Sequence, residues 1–162
     1  MRALLAVTLA GAVLLSGCVS LGPRAEPAGG PGAAERKPSQ AVAELTQLPG
    51  VLDAFVTSGP TGLPTQIELS TGLNLDEGYA GNLPALLDYT LAQAWSVTVQ
   101  EPTTVVSVGF LGGATAIDLA PVAAELGWPD RTGPALDLTL DDMVDRYGPW
   151  PGPVPDKPAA LG

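Results

Sequence analysis

The sequence predicts an α+β domain, with helices packed on one face of a mainly antiparallel sheet of about four strands, in a ferredoxin-like or related arrangement. Three observations carry this expectation. Short segments of apolar alternation come in pairs, 51–58 with 65–69 and 103–111 with 114–119. A segment with helical apolar spacing, Leu83 to Trp95, separates the pairs. The patterned region, 39–148, is roughly 110 residues long, enough for one hydrophobic core.

Ser39 is placed to cap a first short helix carrying Val42 and Leu45 on one face, stopped by Pro49-Gly50. Val51 to Ser58 alternates as a strand, with Leu52, Ala54 and Val56 on one side and Asp53, Phe55 and Thr57 on the other. Phe55 stands on the more polar side, so the inward face stays open. After a Gly/Pro-rich turn, Thr65 to Leu69 closes an antiparallel hairpin. Thr71 to Gly81 contains three glycines and reads as irregular. Asn82 is a suitable cap for the main helix, Leu83 to about Trp95, in which Leu83, Leu87 and Leu91 recur at four-residue spacing. Pro84 lies in its first turn, where a missing donor costs little.

Thr103 to Leu111 is apolar on both faces and reads as an inner strand. Gly112-Gly113 then signals a hairpin into Ala114 to Leu119. Pro121 opens a short helix ended by Gly127, and Thr139 caps a last helix to Tyr147, with Gly148 just beyond it. Residues 149–162 hold five prolines and read as an extended tail. Before the domain, residues 18–38 are mostly Gly, Ala and Pro without apolar periodicity, which marks a tether with a reach of ~25 Å.

The opening run, MRALLAVTLAGAVLLSGC, joins one positive charge to a short apolar segment and ends at the sole cysteine of the chain. Its apolar part spans only ~20 Å as a helix, against ~30 Å of hydrocarbon, so it reads as a signal segment and not as a membrane span. Leu15-Ser16-Gly17-Cys18 resembles the lipobox of bacterial lipoproteins: an apolar residue, two small ones, then cysteine. The resemblance implies that residues 1–17 are a removed signal peptide and that Cys18 is diacylated through its sulfur. It also implies a mature chain held on the cell membrane, facing away from the cytoplasm. The excess of Arg over Lys and the abundance of Ala, Gly and Pro look like those of a small actinobacterial-type lipoprotein.

Composition excludes several functions. The chain carries 7 Lys/Arg against 17 Asp/Glu, and no basic residue falls between Lys37 and Arg131. Removal of Arg2 with the signal leaves a net charge of about −11. No nucleic acid is expected as a partner, since no basic footprint exists for phosphate. With no histidine and one thiol destined for lipid, His triads, Cys nucleophiles, His/Cys zinc sites and disulfides fall away together.

Carboxylates remain as the available chemistry. Asp141-Asp142 and Asp145 superficially match an Asp-rich magnesium motif without its context, and the pattern lacks an EF-hand's glycine and distal glutamate. The favoured reading is a helix N-terminus: Asp142 completes a capping box with Thr139, and Arg146 stands at ion-pair spacing from it. Asp76-Glu77 reads as a solvated turn, with a cation loop as the rival. Asp53 and Glu68, on neighbouring strands, are a conceivable acid–base pair, with plain exposed-face residues the favoured reading because a domain of this size with few aromatics offers little cleft. Trp150 between prolines either packs back on the domain or is offered as a polyproline ligand. Tyr79, Tyr89, Trp95 and Trp128 are expected to fill core edges. The sequence thus predicts a non-enzymatic, membrane-anchored envelope lipoprotein that binds an envelope protein partner and needs no cofactor. A calcium- or small-molecule-binding accessory protein is the alternative, and a carboxylate-dependent hydrolase the third reading.

Overall fold

The computed structural model describes residues 35–128 and 133–162; Cys18, the signal segment and the tether up to residue 34 lie outside the described residues. In chain order the elements are α1 (Pro38–Leu45), β1 (Val51–Pro60), β2 (Ile67–Leu75), α2 (Leu83–Trp95), β3 (Val105–Gly112), β4 (Thr115–Ala116), α3 (Ala120–Glu125), β5 (Ala135–Thr139) and α4 (Leu140–Tyr147). A single 3-10 turn, Ala159–Leu161, follows.

The α+β expectation holds. β1 and β2 form the antiparallel hairpin, with Phe55 opposite Gly72 and Thr57 opposite Ser70. β2 and β3 run parallel, joined by the α2 crossover. The far edge of β3 is shared: antiparallel β5 pairs with its first part and β4 with its last two residues. The βαβ unit is therefore unsplit, with β2 and β3 direct neighbours.

Strand alternation sorts the two faces. Ile67, Leu69, Leu73 and Leu75 of β2, Val106, Val108 and Phe110 of β3, and Leu136 and Leu138 of β5 are all buried on the inner face. On that face lies α2, and α1, α3 and α4 pack against it in turn. Enclosure on all sides explains why α2 buries Leu86, Leu87, Tyr89, Leu91 and Trp95 around most of its circumference. Its start is as expected: the Asn82 Oδ1 accepts from the Ala85 N–H at 3.0 Å, and Pro84 sits in the first turn.

Five expectations are corrected. β2 does not stop at Leu69 but continues through Gly72 to Leu75, so the supposedly irregular stretch is half strand. The predicted strand 114–119 shrinks to two residues, because Asp118 Oδ1 accepts from Ala120 N at 3.0 Å and turns the chain into α3. The β3 edge it leaves is taken by β5, which the sequence reading missed. Helix α1 begins at Pro38, with Gln40 Oε1 accepting from Lys37 N at 2.8 Å, so Ser39 is not its cap.

The fifth correction concerns the N-terminal domain limit, since Arg36 belongs to the fold; on the C-terminal side Trp150 packs back, one of the two readings left open for it. Arg36 exchanges bonds with Thr98: its N–H donates to Thr98 Oγ1 at 2.7 Å, and the Thr98 N–H donates to its carbonyl at 2.8 Å. Its side chain, only 6% exposed, bonds Gln93 and Ser96 and pairs with Glu44 at 2.9 Å. At the other end Trp150 meets Trp95 edge-on, with centroids 4.9 Å apart, and Gly152 N donates to the Trp95 carbonyl at 3.0 Å. Leu161 is buried, a contact stabilising by ~1.5–3 kcal/mol for a full leucine side chain.

Candidate functional site: the open face of the sheet

Among the described residues, the helices that touch the sheet cover its inner face, and the outer face carries exposed side chains. Strand register arranges its side chains in rows running across the strands. One row is Phe55, Gly72, Gly109 and Ala135; beside it runs Asp53, Asn74, Leu111 and Ala116; on its other side runs Thr57, Ser70, Ser107 and Asp137. The central row has a large residue at one end and small ones after it. It forms a trough ~14 Å long, three strand spacings, between walls set by neighbours ~7 Å away along each strand.

The glycines divide the work. A Cβ on Gly72 would lie 2.5 Å from Phe55 Cε1 and 2.7 Å from the Gly109 carbonyl oxygen, so only glycine lets the Phe55 ring lie down on the sheet. A Cβ on Gly109 would meet nothing closer than the Ala135 Cβ at 3.8 Å, so the space above Gly109 is open. Two contiguous hollows result, sharing Phe55, Gly109 and Leu111. One, of about 250 Å³, extends to Asp53 and Asn74; the other, of about 270 Å³, extends to Ala116, Pro134 and Ala135.

Phe55 and Leu111 are 50% and 45% exposed, large apolar side chains held in water at the lip of the trough. The Asn74 Oδ1 is buried in the wall without a donor, an acceptor that folding leaves unsatisfied. Around the apolar centre stand Asp53, Glu68 and Asp137, and none of the described strands carries a lysine or arginine. The Asp137 Oδ1 accepts from Ser107 Oγ at 2.5 Å, which fixes that carboxylate over β3.

The carboxylates singled out from sequence are not brought into a site. Asp53 lies opposite Asn74 while Glu68 lies opposite Gly59, six residues along β1, so the two are ~20 Å apart along the strand and make no acid–base pair. The Asp142 side chain accepts from Thr139 N at 2.9 Å and the Thr139 Oγ1 from Asp142 N at 3.2 Å, the capping box as expected. Arg146 reaches across to α2, donating to Asp88 Oδ1 at 2.6 Å and lying 4.8 Å over the Trp128 ring. Beside it the Tyr147 hydroxyl donates to Asp88 Oδ1 at 2.8 Å; burial first, and then the Asp88 charge, push its pKa well above the usual tyrosine value. This cluster ties α4 to α2.

Asp76 closes a turn, its carbonyl accepting from Tyr79 N at 3.1 Å. Among the described residues no three Cys, Asp or Glu side chains gather as metal ligands. Tyr89, Trp95 and Trp128 are core residues, and Trp150 packs back on the domain. The trough itself escaped the sequence reading, although Phe55 on the polar side of β1 and Gly109 amid the valines of β3 are its signature. Set beside known protein families, curated proteins and solved structures, the chain matches none.

Proposed function

We propose that the chain is a non-enzymatic envelope lipoprotein, anchored in the membrane through acyl chains on Cys18, whose α+β module binds an envelope protein through the open sheet face. The observation that carries the docking part is the trough beside Phe55. A large aromatic side chain is held half-exposed over Gly72, next to unfilled space above Gly109. The lipobox supports the anchor, and Arg36, locked into the fold, shows that the folded module begins before residue 39.

Two measurements test the reading. Mass spectrometry of the mature N-terminus should find a diacylated Cys18; an unmodified Cys18 or a start elsewhere sinks the lipoprotein part. A photo-crosslinking side chain at Leu111 should form a discrete protein adduct in native envelope, absent from the same probe at exposed Glu125 on the helical side. Gly109→Val should abolish the adduct while leaving the melting temperature equal or higher, since the site has room and valine suits a strand. Equal adducts from both probes, or an adduct indifferent to Gly109→Val, would remove the open face as the docking surface.

A further inference from the structure

We infer that the segment this face accepts is an extended polypeptide with apolar residues in the middle and a lysine or arginine at each end. The inference rests on the docking reading above and names the partner's chemistry.

The argument is one of complementarity. Asp53 stands at the β1 end of the trough and Asp137 at the β5 end, in the rows on either side of it. Glu68 lies farther along β2 on the same face. None of the three has a cationic partner among the described residues; the Arg36–Glu44 and Arg146–Asp88 pairs lie on the helical side. An apolar slot bracketed by unneutralised carboxylates attracts cations at both ends and selects an apolar middle.

The same charges disfavour other occupants. A second copy would place three carboxylates against three more, between chains of net charge −10. Anionic lipid or phosphate meets only like charge on these strands. Shallow hollows of about 250 and 270 Å³ along an open sheet are shorter and flatter than the enclosed sites that hold small molecules. An extended segment spans the ~14 Å trough with about four residues, which puts its flanking side chains within reach of Asp53 and Asp137.

The test uses the mature chain, residues 18–162 with Cys18→Ser, which contains every described residue. The probes are fluorescein-labelled peptides with a Leu-Val-Ala-Val core and either lysine or glutamate at both ends, plus a lysine-ended peptide with a serine core. Fluorescence anisotropy at low salt should show the lysine-ended apolar peptide binding at least about tenfold tighter than the glutamate-ended one. The preference should shrink as salt rises toward ~1 M. Asp53→Asn with Asp137→Asn should cut it to about threefold or less, whereas Glu125→Gln with Asp156→Asn, the same charge change off the face, should not. Gly109→Val should abolish binding.

Lysine- and glutamate-ended peptides binding alike would overturn the inference. So would an equal effect from the off-face pair, tight binding of the serine-core peptide, self-association lost on Gly109→Val, or no peptide binding at all. If the Leu111 crosslink persists in any of those cases, the face still docks a protein and only its chemistry is wrong. If the crosslink fails while the peptide preference holds, the face selects such segments but is not the envelope docking surface.

Discussion

Replacing Arg36 with alanine tests where the fold begins. The guanidinium pairs with Glu44 at 2.9 Å and bonds Gln93 and Ser96, which are 0% and 3% exposed. In Arg36→Ala the Gln93 side-chain Oε1 loses its donor, while Ser96 Oγ keeps its bond to the Gln93 backbone carbonyl at 2.8 Å. One buried unsatisfied acceptor costs ~1–3 kcal/mol, and two lost methylenes cost ~1.6 kcal/mol more. Deleting a buried charge returns part of its desolvation penalty, so the net loss should be ~2–4 kcal/mol. Glu44→Ala should cost less, ~1 kcal/mol, because its side chain is 41% exposed and water enters where the carboxylate stood. A form starting at residue 39 should lose at least as much as Arg36→Ala, since the paired bonds to Thr98 go as well. Urea unfolding of residues 18–162 with Cys18→Ser, extrapolated at unchanged slope, gives the differences. Arg36→Ala within ~0.5 kcal/mol of the parent, or an unimpaired form starting at residue 39, would return residues 36–38 to the tether.

Three further outcomes are expected. Gly72→Ala should destabilise by ~1–3 kcal/mol through overpacking against Phe55 and the Gly109 carbonyl, while Gly109→Ala is neutral or stabilising; equal melting temperatures for the two would contradict the division of roles. Asp142→Ala should cost ~0.5–1.5 kcal/mol as a lost cap contact, and millimolar calcium should leave the melting curve unmoved, whereas a rise of ~2.7 kcal/mol near 100 times the dissociation constant, lost in the variant, would establish a calcium site instead. Because the folded-state pKa of Tyr147 is raised, its contribution is fully present below the unfolded value of ~10 and is lost as pH climbs past it. Unfolding at pH 8 and pH 11 should therefore show a decline that Tyr147→Phe reduces, and an identical decline in both proteins would remove tyrosine ionisation as its cause.

Local rules determined much of this chain by themselves. Asn82 with Pro84 marked the start of α2 and the leucine spacing its approximate length, so a helix from Leu83 to about Trp95 was readable. The Thr139 and Asp142 capping box was likewise legible, because every partner lies within one helical turn. The α+β class followed from the change between two-residue and helical periods. What needed partners far along the chain stayed hidden. Gly72 reads as a breaker until Phe55, seventeen residues earlier, is seen lying over it from the paired strand. Leu136 and Leu138 form a strand only because β4 stops early and leaves the β3 edge free. Arg36 looks like tether until Gln93, Ser96 and Glu44 converge on it, and Leu161 looks like tail until α2 receives it. Periodicity reports which residues turn inward together. Register, set by long-range pairing, decides what stands beside what, and so only the folded sheet could create the trough between Phe55 and Ala135.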